Sequence, residues 1–278
     1  MGDKEKILTK PSRANLGAQV EQNLVQWVRF KGRLPDVELH CDDDAVWTLS
    51  ISGDEPNQVC STRFKPESAD ARISEILGYY RYHLRAANWW VGPGATPEDL
   101  GNRLRDHGLR CRKHVPGMAV DLRAFDATLP TPHRLVVDAI EDLSVFQKFE
   151  HPSIGPISTP RRAARLDRDI RLARLKPRHA RYLMASLDGE PLGIATLFLG
   201  ADVAGIYELA VIPRARGQGI GTVLTLSCLQ LARRLGYRVA VLQASGKGES
   251  IYRRIGFNRV CTISHWYYPK AKCRIRTA

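Results

Sequence analysis

Residues 206–222 of this 278-residue chain set an apolar run, a proline, a basic glycine-rich loop and an apolar-periodic segment in immediate succession. The run Ile206–Ile212 reads as a strand and stops at Pro213. From Thr222 to Leu235 the apolar residues Val223, Leu224, Leu226, Leu229, Leu231 and Leu235 recur at helical spacing. Strand, glycine loop and helix in that order restrict the backbone more than any other stretch. Gly217, Gly219 and Gly221 can turn successive N–H groups inward, and the helix behind them adds the positive end of its dipole. A phosphate or pyrophosphate is the guest that such a nest fits.

Spacing discriminates between the known loops of this kind. A Walker loop requires Lys after its last glycine, and Thr222 stands after Gly221. A dinucleotide fingerprint requires Gly-x-Gly-x-x-Gly with an acid about 20 residues on, yet no Asp or Glu falls between Glu208 and Glu249. What remains is Arg216-x-x-Gly219-x-Gly221. This resembles the Arg/Gln-x-x-Gly-x-Gly/Ala pyrophosphate loop of the GNAT superfamily, the acyl-CoA-dependent N-acetyltransferases. Downstream, Val239–Gln243 reads as a buried strand and Ala244–Glu249 as a small-residue loop. Ser250–Ile255 reads as a short helix closed by Gly256, and Arg259–Ser264 as a further strand. Tyr252-x-x-x-Gly256-Phe257 is similar to the segment that closes the cofactor site in that superfamily. The resemblance covers residues 180–268 and extends back toward Leu135.

The resemblance implies an α/β (α+β) acyl-CoA N-acyltransferase fold, a mixed, mostly antiparallel sheet flanked by helices. It implies acetyl-CoA as co-substrate, no metal, and direct acyl transfer to a primary amine in a ternary complex. By position, Leu209, Ala210 and Val211 would hold the pantetheine arm and the acyl carbonyl. Gly217, Gln218, Gly219, Ile220, Gly221 and Thr222 would hold the pyrophosphate, with Arg216 and Arg214 adding charge. Tyr252 would be the general acid, or a packing residue of its short helix. Ser245 stands seven residues before it, where many relatives have an Asn on the cofactor arm; Ser keeps a hydroxyl but not the amide fork. Glu208, the acid nearest the splay point, is the candidate base, with a pKa raised by its apolar strand. His265 is the alternative, and Tyr267 and Tyr268 either line the acceptor pocket or close the sheet edge.

Charge is unevenly divided. Residues 1–133 hold 18 basic and 18 acidic side chains; residues 134–278 hold 24 and 11, the whole net +13. A cofactor with a pyrophosphate and a 3′-phosphate suits a basic half. Nine basic residues fall between Arg161 and Arg181, on a segment that reads as a helix capped by Thr159 with Pro160 at its first position. Its apolar positions Ala164, Leu166, Ile170, Ala173 and Leu175 lie broadly on one side. No aromatics interleave with these arginines, which argues against single-stranded nucleic acid. No run of 18 apolar residues exists, the N-terminus lacks an apolar signal core, and the six cysteines form no Cys-x-x-Cys pair. Together these point to a reducing cytoplasm and no membrane span.

The proline-bearing stretch 129–133 suggests domains at 1–130 and 135–278. The first half echoes the second: strand 88–91, turn 92–97, helix 98–107 with Thr96 as cap, then Gly108-Leu109 over Gly256-Phe257. Leu104 then falls where Tyr252 stands, and no glycine loop precedes Trp89. The first half is therefore expected to be a degenerate copy, without the pyrophosphate loop or the tyrosine. Trp89, Trp90 or Tyr79-Tyr80 could form one wall of an acceptor pocket, or simply its core. The expected acceptor is a small-molecule or peptide amine, and homodimerisation is left open. The competing reading is a CoA-binding or nucleic-acid-binding module without catalysis.

Overall fold

The computed structural model describes residues 13–53, 55–125, 134–140, 179–246 and 248–270. In chain order the first elements are α1 (Arg13–Lys31), β1 (Val37–Cys41), β2 (Val46–Ser50), β3 (Gln58–Cys60), α2 (Ala69–Tyr82), β4 (Ala87–Val91), α3 (Leu100–Asp106) and β5 (Arg110–Asp121). There follow β6 (Leu135–Ala139), β7 (Ala180–Leu187), β8 (Glu190–Gly200), β9 (Val203–Val211), α4 (Ile220–Arg234), β10 (Val239–Gln243), α5 (Glu249–Ile255) and β11 (Asn258–Tyr268).

The chain divides into two compact units: Met1–Trp27 with Pro116–Val260, and Val28–Val115 with Cys261–Ala278. This differs from the expected halves 1–130 and 135–278. The reason lies in strand pairing, since each unit completes its sheet with a strand from the other half of the sequence. Residues 129–133 lie outside the described residues, as does the basic segment from Thr159 as far as Arg178. Arg181, the last of its basic residues, belongs to strand β7 and not to a helix.

In the loop-bearing unit, β6, β7, β8 and β9 pair antiparallel in sequence order. β9 and β10 are parallel, joined through α4. β10 then pairs antiparallel with residues 117–121 of β5. α4 forms because Ile220, Val223, Leu224, Cys228, Leu229 and Ala232 recur on one face, and all six are buried. Each fully buried leucine of that face contributes about 1.5–3 kcal/mol. Gly236, at φ +90°, ends the helix, with Tyr237 N–H bonded back to the Ala232 carbonyl at 3.0 Å. Gly193 of β8 lets the helix approach, because a Cβ there would stand 2.8 Å from Leu224 Cδ1.

The companion unit repeats the plan. β1/β2 and β2/β3 are antiparallel, β3/β4 are parallel through α2, and β4 pairs antiparallel with residues 264–268 of β11. The short helices α3 and α5 end in the same motif. Leu109 N–H bonds to the Leu104 carbonyl at 2.9 Å, and Phe257 N–H to the Tyr252 carbonyl at 3.0 Å. Gly108 and Gly256 supply the left-handed turn at φ +85° and +108°. The expected overlay of Gly108-Leu109 on Gly256-Phe257 thus has a backbone basis. Thr96 is not the cap of α3: its hydroxyl donates to the Phe64 carbonyl at 3.1 Å, and the helix begins after Asp99. Trp89, Tyr80 and Leu104 are fully buried in this unit's core.

Candidate active site

β9 is irregular where it matters. Its pairing with β8 runs Thr196↔Tyr207 and then Ile194↔Ala210, so Ala195 faces two residues, Glu208 and Leu209. This is a β-bulge, and Glu208 takes the left-handed conformation, φ +51°, that the extra residue demands. Among the described residues the parallel ladder between β9 and β10 covers Ala204 to Ile206 and goes no further. Pairing with β8 continues to Val211. Beyond the bulge, β9 is therefore held on one side only. Glu208, Leu209, Ala210 and Val211 are all half-buried.

The loop begins with a 3-10 turn, Pro213–Ala215, whose Ala215 is buried. Arg216 is extended, and its Nε donates back to the Val211 carbonyl at 3.2 Å. Gly217 at φ +79° and Gly219 at φ +80° then turn the chain, and Gly219 is the N-cap of α4. The helix thus starts at Ile220, two residues before the sequence suggested. A Cβ on Gly217 would meet nothing within 4 Å, so that side of the loop is open. The first-turn N–H groups of Ile220, Gly221 and Thr222 have no intrahelical acceptors and point out of the helix end. Gly221 sits against β9, with a Cβ there falling 3.7 Å from Leu209 Cδ2 and 3.8 Å from Val211 Cγ2. Arg214 is drawn into an ion pair with Glu190, whereas Arg216 and Gln218 are exposed at the loop. Gln218 Nε2 donates to the Arg214 carbonyl at 3.2 Å.

Tyr252 rests on the edge of the same core, its ring edge-to-face with Phe257 at 5.8 Å. Burial, and secondarily the Cys228 thiol of α4, push its phenol above the usual value. Cys228 itself is fully buried and pushed up to about 12, as a core thiol should be. Gly248, unremarked in the sequence, makes room for the ring, since a Cβ there would stand 2.9 Å from Tyr252 Cε2. Ser245 is bonded into the turn before α5. Its hydroxyl and carbonyl accept from Gly248 N–H at 3.2 and 2.8 Å, and the carbonyl also accepts from Glu249 at 3.1 Å. The side chain expected on the cofactor arm thus bonds within the turn before α5, whose N-cap is Gly248.

His265 lies in the companion unit, unlike Glu208 and Tyr252. It stacks on Trp90 at 4.3 Å, and its Nε2 faces Asn88 Oδ1 at 2.9 Å. Burial, with Lys113 and Arg112 beside it, lowers its pKa to about 4. The imidazole is therefore neutral at pH 7. In the same unit Tyr267 lies under the Arg112 guanidinium, 3.7 Å from its ring centre, and Trp90 donates to Gln58 at 2.6 Å.

A bulged strand leaving its parallel neighbour, with a glycine loop and a helix N-terminus at the opening, defines an acyl-CoA N-acyltransferase fold. Residues 141–257 match the acetyltransferase (GNAT) family. The chain is 25% identical over 248 residues to a mycothiol acetyltransferase of Saccharomonospora viridis, covering 82% of this chain and 66% of that protein. It is 26% identical over 95 residues to an uncharacterized N-acetyltransferase of Methanocaldococcus jannaschii, covering 31% of this chain and 42% of that one. Among solved structures, a GCN5-related N-acetyltransferase from Kribbella flavida superposes with a TM-score of 0.65 at 17% identity, over 95% of this chain and 98% of that one. A tandem GNAT protein from the clavulanic acid biosynthesis pathway gives 0.56 at 14%, over 90% and 88%. Residues 141–257 thus match the acetyltransferase (GNAT) family, and the likeness to solved structures shows that the chain has the GNAT fold.

Proposed function

We propose that the chain transfers an acetyl group from acetyl-CoA directly to a primary amine, both substrates being bound together. The observation that carries this is the bulge at Glu208 followed at once by the Gly217–Gly219 turn. The bulge frees one side of Leu209–Val211 for an extended arm, and the turn presents N–H groups to a pyrophosphate a few residues on. The open side of Gly217 and the exposed Arg216 suit a bulky anion there.

The amine attacks the thioester carbon, and the developing oxyanion needs a donor, which the β9 backbone past the bulge supplies. Glu208, or a water that it holds, takes the proton of the amine. The carbon–sulfur bond breaks as Tyr252 donates toward the leaving thiolate. Because burial raises its pKa above ~10, the phenol stays protonated at neutral pH. Full transfer to a thiolate of pKa ~8.5 is uphill, so Tyr252 acts chiefly as a hydrogen-bond donor while the bond lengthens. The companion unit has no glycine in the stretch 61–68 between β3 and α2, and Leu104 at the tyrosine position. We take it to be a degenerate repeat of the loop-bearing unit.

The test is a thermal shift with acetyl-CoA followed by a thiol-release assay over a panel of amines. Stabilisation by acetyl-CoA with thiol release for at least one amine is expected. Stabilisation without release for any amine would leave a binding module in place of an enzyme.

A further inference from the structure

Asn23 of α1 is a fully buried carboxamide, and its bonds reach about 180 residues along the chain. Its Nδ2 donates to the Gly200 carbonyl at 2.7 Å and to the Val203 carbonyl at 3.4 Å. Its Oδ1 accepts from the Tyr207 hydroxyl at 2.8 Å. The Tyr207 ring stacks on Trp27, one turn further along α1, at 4.8 Å and 16°, with Phe198 edge-on to the same indole at 5.3 Å. Gln26 closes the tip of the β8–β9 hairpin by accepting from Ala201 N–H at 2.8 Å. Gly205 makes the arrangement possible, because a Cβ there would stand 2.0 Å from Asn23 Oδ1.

We propose that Asn23 and Tyr207 are positioning residues that fix the register of β9 just before its bulge, and so aim Leu209–Val211 at the pantetheine arm of acetyl-CoA. Side chains along a strand alternate between faces, so Val203, Gly205 and Tyr207 share the face that meets α1. A one-residue slip would turn Tyr207 away from Asn23 and bring Ile206 or Glu208 into its place. The Asn23 clamp fixes the register on the side before the bulge. On the other side Arg216 holds the Val211 carbonyl. The extra residue is trapped between two fixed points. The inference rests on the acetyl-CoA reading above, and it adds that the N-terminal helix belongs functionally to the cofactor strand.

The experiment compares two ligands by calorimetry: acetyl-CoA, and 3′-phospho-ADP, which carries the pyrophosphate and 3′-phosphate without the arm. Tyr207→Phe removes one hydroxyl and keeps the ring on Trp27; Asn23→Ala removes the clamp. Tyr207→Phe, which strands one buried hydrogen-bond partner, should bind acetyl-CoA roughly tenfold more weakly, and Asn23→Ala, which removes three bonds, at least as weakly. Binding of 3′-phospho-ADP should stay within about twofold of wild type, because the glycine loop is untouched. Unchanged acetyl-CoA affinity in both variants overturns the inference alone. Equal weakening of the two ligands also overturns it, since that marks general loosening and not positioning. If the wild-type protein binds neither ligand, the cofactor reading falls and this inference falls with it.

Discussion

Gly219 shows how much a single position decides. Its φ of +80° is open to glycine and strained for other residues, and its N–H stands at the positive end of α4. Gly219→Asp adds strain and a carboxylate where a phosphate should sit, so CoA binding should be lost; near-normal affinity by calorimetry would remove the central claim. Tyr252 is the complementary case, because its substitution can leave the fold intact. Tyr252→Phe keeps the ring on Phe257 and removes only the donor. kcat should fall by roughly 10- to 1000-fold, in or below the ~10²–10⁴ range of general-acid contributions, with KM for acetyl-CoA little changed. An unchanged kcat would reduce Tyr252 to a packing residue. Both positions were legible in the sequence because their geometry is local: a glycine needed for a turn, and a tyrosine one helical turn before a C-terminal glycine. Glu208 was legible only as an acid. Its left-handed backbone follows from a two-for-one pairing with β8, which no local pattern encodes.

At the level of elements, the helices and strands with strong periodicity or continuous burial were readable, and their partners were not. β10 stands where its apolar run put it, and α4 begins two residues earlier than its spacing suggested. β11 pairs with β4, about 175 residues away, and the sequence does not encode that choice in either strand alone. His265 on β11 gives this pairing a pH signature. Its pKa of about 4 lies below the ~6.5 of an unfolded chain, so the unfolded state binds the proton more readily. Stability is therefore unaffected above pH ~6.5 and declines as pH falls from there toward 4, by at most ~3 kcal/mol. His265→Phe keeps an aromatic ring on Trp90 without the ionisation. Urea melts at pH 7 and pH 4.5 should show wild type losing more stability than the variant between the two; equal losses would mean that His265 is freely protonated in the folded state.

For the molecule as a whole, the exchange of closing strands forbids a cut at the sequence midpoint. A polypeptide of residues 1–130 lacks the strand 264–268 that pairs with β4, and one of residues 135–278 lacks both 117–121 and α1. Each alone should melt broadly and self-associate through its open sheet edge, and the two co-expressed should restore a sharp transition. A sharp melt and full CoA affinity for 135–278 alone would contradict this. Whole-chain charge also bears on the acceptor. The net +13 belongs to the second half of the sequence, so a polycationic amine meets repulsion within the screening length of ~8–10 Å. Of two acceptors differing only in added lysines, the lysine-poor one should turn over faster at low salt, with the gap closing at high salt; the reverse order would refute the charge argument. The exchanged strands also set a clock on biosynthesis. β4 emerges from the ribosome long before Trp266 and His265, its cross-strand neighbours, have been translated. At ~5–20 residues per second the wait is on the order of ten to thirty seconds. During it the nascent first half carries an unfinished sheet, and that sheet closes only after β11 has been translated.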